Sequence, residues 1–242
     1  MKPYTEENKR EYVHRLFGRI SRRYDLMNSL ISFGLHRRWR RGCVHLGGGL
    51  PDGGAGLDLC CGTGDFIAEM LRSCSGRCTV TGVDFSREML EIAQARFRAE
   101  VDSGQVALHQ ADATDLSFLP GDHFDLVTIG FGLRNVTSIN AVLRGVQRVL
   151  KPGGALVNLD LSHPVPPLIR PFAALWLNIG VPWLGRMLFG AANEYSWLGR
   201  SLRAFPAKDE LIRLFQAAGL TNARAIPFGM GAVCAHVGRK PL

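Results

Sequence analysis

The chain has 242 residues, with 46% hydrophobic and 21% charged side chains and a formal net charge of +8. These are the values of an ordinary soluble globular protein, long enough for one α/β domain with a full core and a small extra lobe. Residues 1–7 carry no apolar run, so no secretory leader is expected. The six cysteines read as reduced cytoplasmic thiols, and with no His or second Cys pair beside Cys74 and Cys78, no metal site is expected. The charge is uneven: residues 1–45 hold eleven Lys or Arg against four Asp or Glu. That surplus points to an anionic partner, a nucleic acid or a membrane surface rich in anionic lipid.

In chain order, residues 5–45 show helical spacing with several breaks. Val13, Leu16, Phe17 and Ile20 recur at i, i+3, i+4 and i+7, an amphipathic stripe. The spacing predicts two or three helices over 1–46, a cap lying across the mouth of a ligand site. The glycine-rich stretch 47–56 reads as a flexible linker to the core domain, 47–242. From Gly56 strand and helix alternate, which predicts a parallel sheet with helices on both faces. Predicted helices cover 66–73, 86–100 with Ser86 as N-cap, 138–150 and 207–218. Predicted strands follow Gly56 and cover 79–83, 106–109, 124–130 and 155–161, with an antiparallel pair near 220–227 and 230–238. The apolar stretch 164–190 breaks this rhythm. Its uncharged run 171–185 contains Pro182 and is too short to span a bilayer, so it is an inserted helical element. It would serve as a pocket wall or as an interfacial membrane contact.

The chemistry is concentrated at Asp58-Leu59-Cys60-Cys61-Gly62-Thr63-Gly64-Asp65. A strand runs there into a glycine turn, where missing side chains let the backbone turn sharply and approach a ligand. About twenty residues on, Asp84 ends the second strand, the place where a ribose is held by its hydroxyls. A dinucleotide fingerprint needs a third glycine, and that position is Ile67. Asp58 and Asp65 would also repel a pyrophosphate, whereas a cation without phosphates, such as S-adenosylmethionine, suits them. In open α/β sheets the ligand lies beyond the carboxyl ends of the strands. That adds Thr63, Phe85, Asp112, Ala113 and Gly130 to the cofactor candidates, Asp112 being suited to an adenine amine.

These residues complete a pattern that closely resembles the ubiquinone/menaquinone biosynthesis C-methyltransferases. It is carried by Tyr24-Asp25-Leu26-Met27-Asn28, Ser32-Phe33-Gly34-Leu35-His36-Arg37-Arg38-Trp39 and the glycine loop. Phe131-Gly132-Leu133-Arg134-Asn135-Val136 and Val149-Leu150-Lys151-Pro152-Gly153-Gly154 add to it, and the likeness covers about 14–240. The resemblance implies a class I S-adenosylmethionine-dependent methyltransferase with a Rossmann-like seven-stranded sheet, last strand antiparallel, and an N-terminal helical cap. It implies methylation of a quinol ring carbon on a polyprenylated precursor, demethylmenaquinol to menaquinol, with a ubiquinone benzoquinol precursor as the alternative. Some relatives carry Ser at Gly130, where this chain has only backbone to offer the cofactor.

A sulfonium is an activated donor, so the remaining task is to align the acceptor and stabilise its phenolate. Arg134 and Asn135 are expected to do this, with Tyr24, Asp25 and His36 of the cap as candidates for relaying the proton; His36 alone titrates near neutrality. The expected partners are the quinol and an anionic membrane at the cytoplasmic face, with a homodimer as the assembly to test. A nucleic-acid partner is not expected, because the Asn-Pro-Pro-aromatic loop of base amino-methylating enzymes is absent after strand four. A non-catalytic cofactor-binding module remains the other rival.

Overall fold

A computed structural model describes residues 11–13, 15–16, 18, 21, 24–74, 76–162, 168, 170–189 and 192–242. Phe17, Ile20 and the side chain of Tyr24 lie outside the described residues. Seven strands form one sheet: β1 (Ala55–Leu59), β2 (Thr79–Asp84), β3 (Val106–Gln110), β4 (Phe124–Gly130), β5 (Leu150–Leu161), β6 (Thr221–Phe228) and β7 (Val233–Arg239). Their order is β3-β2-β1-β4-β5-β7-β6. The first five run parallel, and β7 is antiparallel to both β5 and β6. Leu57 pairs with Thr81 on one side and Val127 on the other. All of β1 is buried, as a central parallel strand covered on both faces must be. Strand order reverses between β1 and β4, and the carboxyl ends open a crevice at that switch point.

The helices are α1 (Tyr24–Ile31), α2 (Leu35–Gly47), α3 (Asp65–Ser73), α4 (Arg87–Arg96), α5 (Arg98–Asp102), α6 (Ile139–Val149), α7 (Arg170–Leu175), α8 (Val181–Phe189), α9 (Ala192–Ala204) and α10 (Lys208–Ala217). One core layer joins the sheet to Val142, Leu143 and Val146 of α6 and to Leu211 and Phe215 of α10. The other joins it to Cys43 and Val44 of α2 and to Phe66, Ile67 and Met70 of α3. A third, smaller cluster gathers Val13, Leu16, Met27, Val181 and Trp197, so the N-terminal segment packs on α8 and α9.

Several elements differ from the sequence pattern for identifiable reasons. The helix expected over 86–100 starts on its Ser86 cap, which accepts from Met89 N–H at 3.3 Å, but breaks at Phe97. That break turns the Phe97 ring onto Gly64, where an added Cβ would meet it at 2.4 Å. The stretch 47–56 is not a flexible linker. Leu50 is buried, its N–H bonds Ser73 Oγ at 3.3 Å, and Gly47 lies so close to Leu126 that a Cβ would sit 2.4 Å from it. The second half of α2 therefore belongs to the core rather than to a detached cap. β5 begins at Leu150, earlier than the glycine turn suggests, because Gly153 N–H and Gly154 C=O both bond Lys240 across the sheet. The apolar insertion is α7, one π-turn (Trp176–Gly180) and α8, and α9 follows it without a clear signal in the spacing.

His236 of β7 lies opposite Asn158 of β5 and bonds the Lys208 carbonyl through Nε2 at 3.2 Å. Burial pushes its imidazole down to about 4. The unfolded chain, titrating near 6.5, therefore binds the extra proton between those values. Stability should be unaffected by this group above pH 6.5 and should fall by about 3 kcal/mol as pH drops toward 4. Urea unfolding across that range checks this, and His236→Phe should flatten the slope.

Candidate active site

A cavity of about 730 Å³, its open mouth included, sits at the switch point. It is walled by the ends of β1, β2, β3 and β4: Cys60 and Gly62; Val83, Asp84 and Phe85; Ala111, Asp112 and Ala113; Gly130, Phe131 and Gly132. Val13, Met89 and the run Asn135, Val136, Thr137 complete it. Two acids and no Lys or Arg line it among the described residues.

Asp84 is the anchor. Its Oδ2 accepts from Gly62 N–H at 2.8 Å and its Oδ1 from Ser86 N–H at 2.9 Å. One carboxylate thus holds the glycine loop, the end of β2 and the start of α4 together. Gly62 has φ +55, so a side chain there would be strained even though nothing stands where its Cβ would be. Asp112 is set by an Asx turn, Oδ1 accepting from Thr114 N–H at 2.9 Å and Thr114 Oγ1 at 2.7 Å. Gly130 is required by packing: a Cβ there would lie 2.6 Å from the Phe66 ring, so the Ser of some relatives would not fit unless Phe66 moved. Cys60 and Phe131, just past the adjacent strands β1 and β4, are non-glycine residues at φ +55 and +57 that both line the crevice. Such conformations cost on the order of 1 kcal/mol each and persist where the surrounding fold enforces them.

Of the expected acceptor residues whose side chains are described, only Asn135 is on the lining of this cavity. Its Nδ2 donates to the Phe131 carbonyl at 3.3 Å and its Oδ1 accepts from Trp197 Nε1 at 3.0 Å. Asp25 and His36 lie instead along an outer cleft with Arg37, Arg41 and Glu69. Asp25 accepts from Thr63 Oγ1 at 2.7 Å, and His36 Nδ1 shares a 2.7 Å hydrogen bond with Ser32 Oγ. Burial, then the Arg40 charge, lowers the His36 imidazole below its usual value. Both fasten the helical hairpin instead of facing the cavity. Thr63 and Asp58 likewise line a small side pocket rather than the main chamber.

Arg134 lies beside the main cavity rather than on its described lining. Its guanidinium is buried against Asp160, with a charge-paired hydrogen bond from Nη1 and a second donation to the Phe131 carbonyl at 2.7 Å. The guanidinium borders an adjoining cleft with Val136, Thr137 and Trp197, and it is paired there with the fully buried Asp160 on β5. Burial pushes Asp160 up, and Arg134 works against that. Removing one member of a buried pair strands the other charge. Arg134→Ala should lower the unfolding free energy by about 3–5 kcal/mol. Urea titration should also show that the Arg134→Ala/Asp160→Ala double variant loses less than the sum of the two single changes.

Sequence reasoning passed over Phe131, Cys60, Arg40 and Trp197 as site residues. Phe131 carried a signal, since it stands between two glycines, and Cys60 a weaker one, two residues before Gly62. Trp197 carried none, because its bond to Asn135 spans 62 residues. Among the described residues no group of three or more His, Cys, Asp or Glu could hold a metal ion, and no helix is long and apolar enough to cross a membrane.

Comparison with known proteins agrees with this geometry. The chain is 40% identical over 231 residues to the demethylmenaquinone methyltransferase of Staphylococcus aureus, covering 96% of this chain and 94% of that protein. Among solved structures, an S-adenosylmethionine-dependent methyltransferase of Thermotoga maritima, a possible histamine N-methyltransferase, aligns with TM-score 0.64 at 21% identity, over 94% and 99% of the two chains. The [4+2]-cyclase SpnF aligns with TM-score 0.67 at 17% identity, over 96% of each. At such identities the likeness shows the fold alone, and a cyclase beside a methyltransferase illustrates why. The model of the ubiE/COQ5 methyltransferase family matches residues 5–240, and with the acid-lined crevice and the Staphylococcus relative this places the chain in that family.

Proposed function

We propose that this protein transfers a methyl group from S-adenosylmethionine to a ring carbon of demethylmenaquinol, giving menaquinol. The observation that carries the cofactor half is the cavity at the switch point, with Asp84 and Asp112 on it and no cation among its described lining. Acids there accept from ribose hydroxyls and an adenine amine, and they disfavour phosphates. The substrate half rests on the likeness to the Staphylococcus enzyme. When bound, S-adenosylmethionine supplies a methyl group already activated on a sulfonium. The chain's own residues bind, orient and exclude water. Asp84 and Asp112 hold the nucleoside, and Phe131 and Val136 wall the chamber. Asn135 directs its second Nδ2 hydrogen to the quinol oxygen, the first being held by the Phe131 carbonyl. Gly62, Thr63 and Gly64 present the glycine loop, while α1 and the first half of α2 act as a cap held to it by Asp25.

Transfer of labelled methyl to reduced demethylmenaquinol tests this. Label is expected in menaquinol, and Asn135→Ala should cut turnover about 100-fold, the usual loss of one preorganised donor. Label only in a demethoxy-type benzoquinol would move the enzyme to the ubiquinone branch, and no label in either would overturn the reading.

The substrate's polyprenyl tail requires access from a bilayer, and the surface offers a matching face. Phe33, 76% exposed at the α1–α2 turn, stacks on Trp176 with centroids 5.5 Å apart. Around this pair Leu26, Leu30, Phe172, Ile179 and Trp183 are also exposed, with Arg37, Arg38 and Arg41 exposed on α2. This face docks on the anionic inner surface of the cell membrane, each nearby cation contributing about 1 kcal/mol. Co-sedimentation with anionic liposomes at low salt should capture the protein. High salt should release much of it, and Phe33→Ser/Trp183→Ser should release most of it.

A further inference from the structure

Beside the main cavity lies a small side pocket, about 290 Å³ with its open mouth included, which shares Cys60, Gly62 and Gly130 with it. Its other walls include Arg40 of α2, Asp58 of β1 and Asp65 of α3. Arg40 is 4% exposed, an unusual burial for a cation. Its guanidinium lies near the rings of Phe66 at 6.0 Å and Phe131 at 5.7 Å. Nη1 stands 2.8 Å from Asp65 Oδ2, close enough for charge pairing, yet out of hydrogen-bond alignment. That nitrogen is buried and has no hydrogen-bond partner among the described residues. A buried donor left unmatched is costly, and here it belongs to a charged group.

The opposite wall carries complementary chemistry. Asp58 is fully buried and accepts from Thr128 Oγ1 at 2.8 Å. Burial pushes its carboxyl up to about 8. Asp65, although burial raises it, is held below the usual range by Arg40 and by Arg96, whose Nη1 lies 2.9 Å away. The pocket thus presents one cation with an unused donor and one buried acid that lacks a cationic neighbour in hydrogen-bond contact. A zwitterion matches both, and the pocket adjoins the proposed nucleoside site through Cys60, Gly62 and Gly130.

We propose that Arg40 receives the α-carboxylate of the cofactor's amino-acid end, so that an arginine of the N-terminal hairpin completes the pocket built by the sheet. This rests on the cofactor reading above and extends it to a residue outside the glycine loop. Asp58 then faces the α-ammonium. Because Asp25 bonds Thr63 and Arg41 pairs with Glu69, the same hairpin is fastened to the loop and to α3. Cofactor binding and hairpin position are therefore coupled through Arg40.

Calorimetric binding of three ligands to the full chain tests this: S-adenosylhomocysteine, its decarboxylated analogue, and 5′-methylthioadenosine, which lacks the amino-acid end. Wild type should bind S-adenosylhomocysteine about 10- to 100-fold more tightly than the decarboxylated analogue, as expected for charge-assisted hydrogen bonds. Arg40→Gln should lose that preference while binding 5′-methylthioadenosine within about twofold of wild type. Arg40→Lys, which keeps the charge without the fork, should show an intermediate preference and serves if the Gln variant does not fold. Equal weakening of all three ligands in both variants would reduce Arg40 to a packing role and overturn the proposal. So would a wild type indifferent to the carboxylate. A wild type that binds none of the three would overturn the cofactor reading itself, a distinguishable result.

Discussion

The carboxylate of Asp84 accepts one backbone N–H from the glycine loop and one from the start of α4, and much of the site follows from those two bonds. A carboxylate accepting from backbone donors makes strong, short contacts, and a buried one is rarely tolerated without them. By fixing Gly62 against the tip of β2, it keeps the floor of the crevice in place where the two halves of the sheet diverge. The left-handed backbone at Cys60, Gly62 and Gly64 can then persist, since the loop is tied at both ends. Close packing secures the far side: Phe97 fills the space over Gly64, and Phe66 fills the space over Gly130.

The N-terminal helices add the charged wall that the sheet lacks. The main cavity is bordered by acids, and a buried cation on the adjoining side pocket arrives from α2, outside the βα framework. Small residues make that possible: Gly47, with Cys43 and Val44, lets α2 settle on Leu126 and Val157 of the sheet and brings Arg40 to the crevice. The exposed flank of the same hairpin carries Phe33 and its arginines. One helical pair thus has an inner face for the polar site and an outer face with apolar tips, a division expected of an enzyme whose cofactor is soluble and whose acceptor is lipid.

Arg134 shows how a motif and its geometry can part. The Phe-Gly-Leu-Arg-Asn run puts a cation one residue from Asn135, and in sequence the two look like a pair of donors for one phenolate. In the fold the 3₁₀ turn Leu133–Asn135 sends them to different surroundings: Asn135 to the cavity, Arg134 to Asp160. The buried acid on the neighbouring strand supplies Arg134 with its counter-charge. Arg134 instead steadies the loop through the Phe131 carbonyl, and Asn135 shares that same acceptor.

By itself the sequence determined what depends on local pattern. The strand Phe124–Gly130 emerged from its apolar run, the Ser86 cap from its hydroxyl, and the acids at the ends of β2 and β3 from their distance beyond a strand. The glycine loop announced the crevice because left-handed backbone leaves a signature in residue type. What the pattern could not carry was long-range competition for partners. The break at Phe97, the packed rather than flexible 47–56 stretch and the bond from Trp197 to Asn135 each join residues distant in the chain. The direction of Arg134 and the burial of Arg40 were likewise decided in three dimensions. A charged side chain turns toward whichever counter-charge the fold has already removed from water, and no local spacing records where that will be.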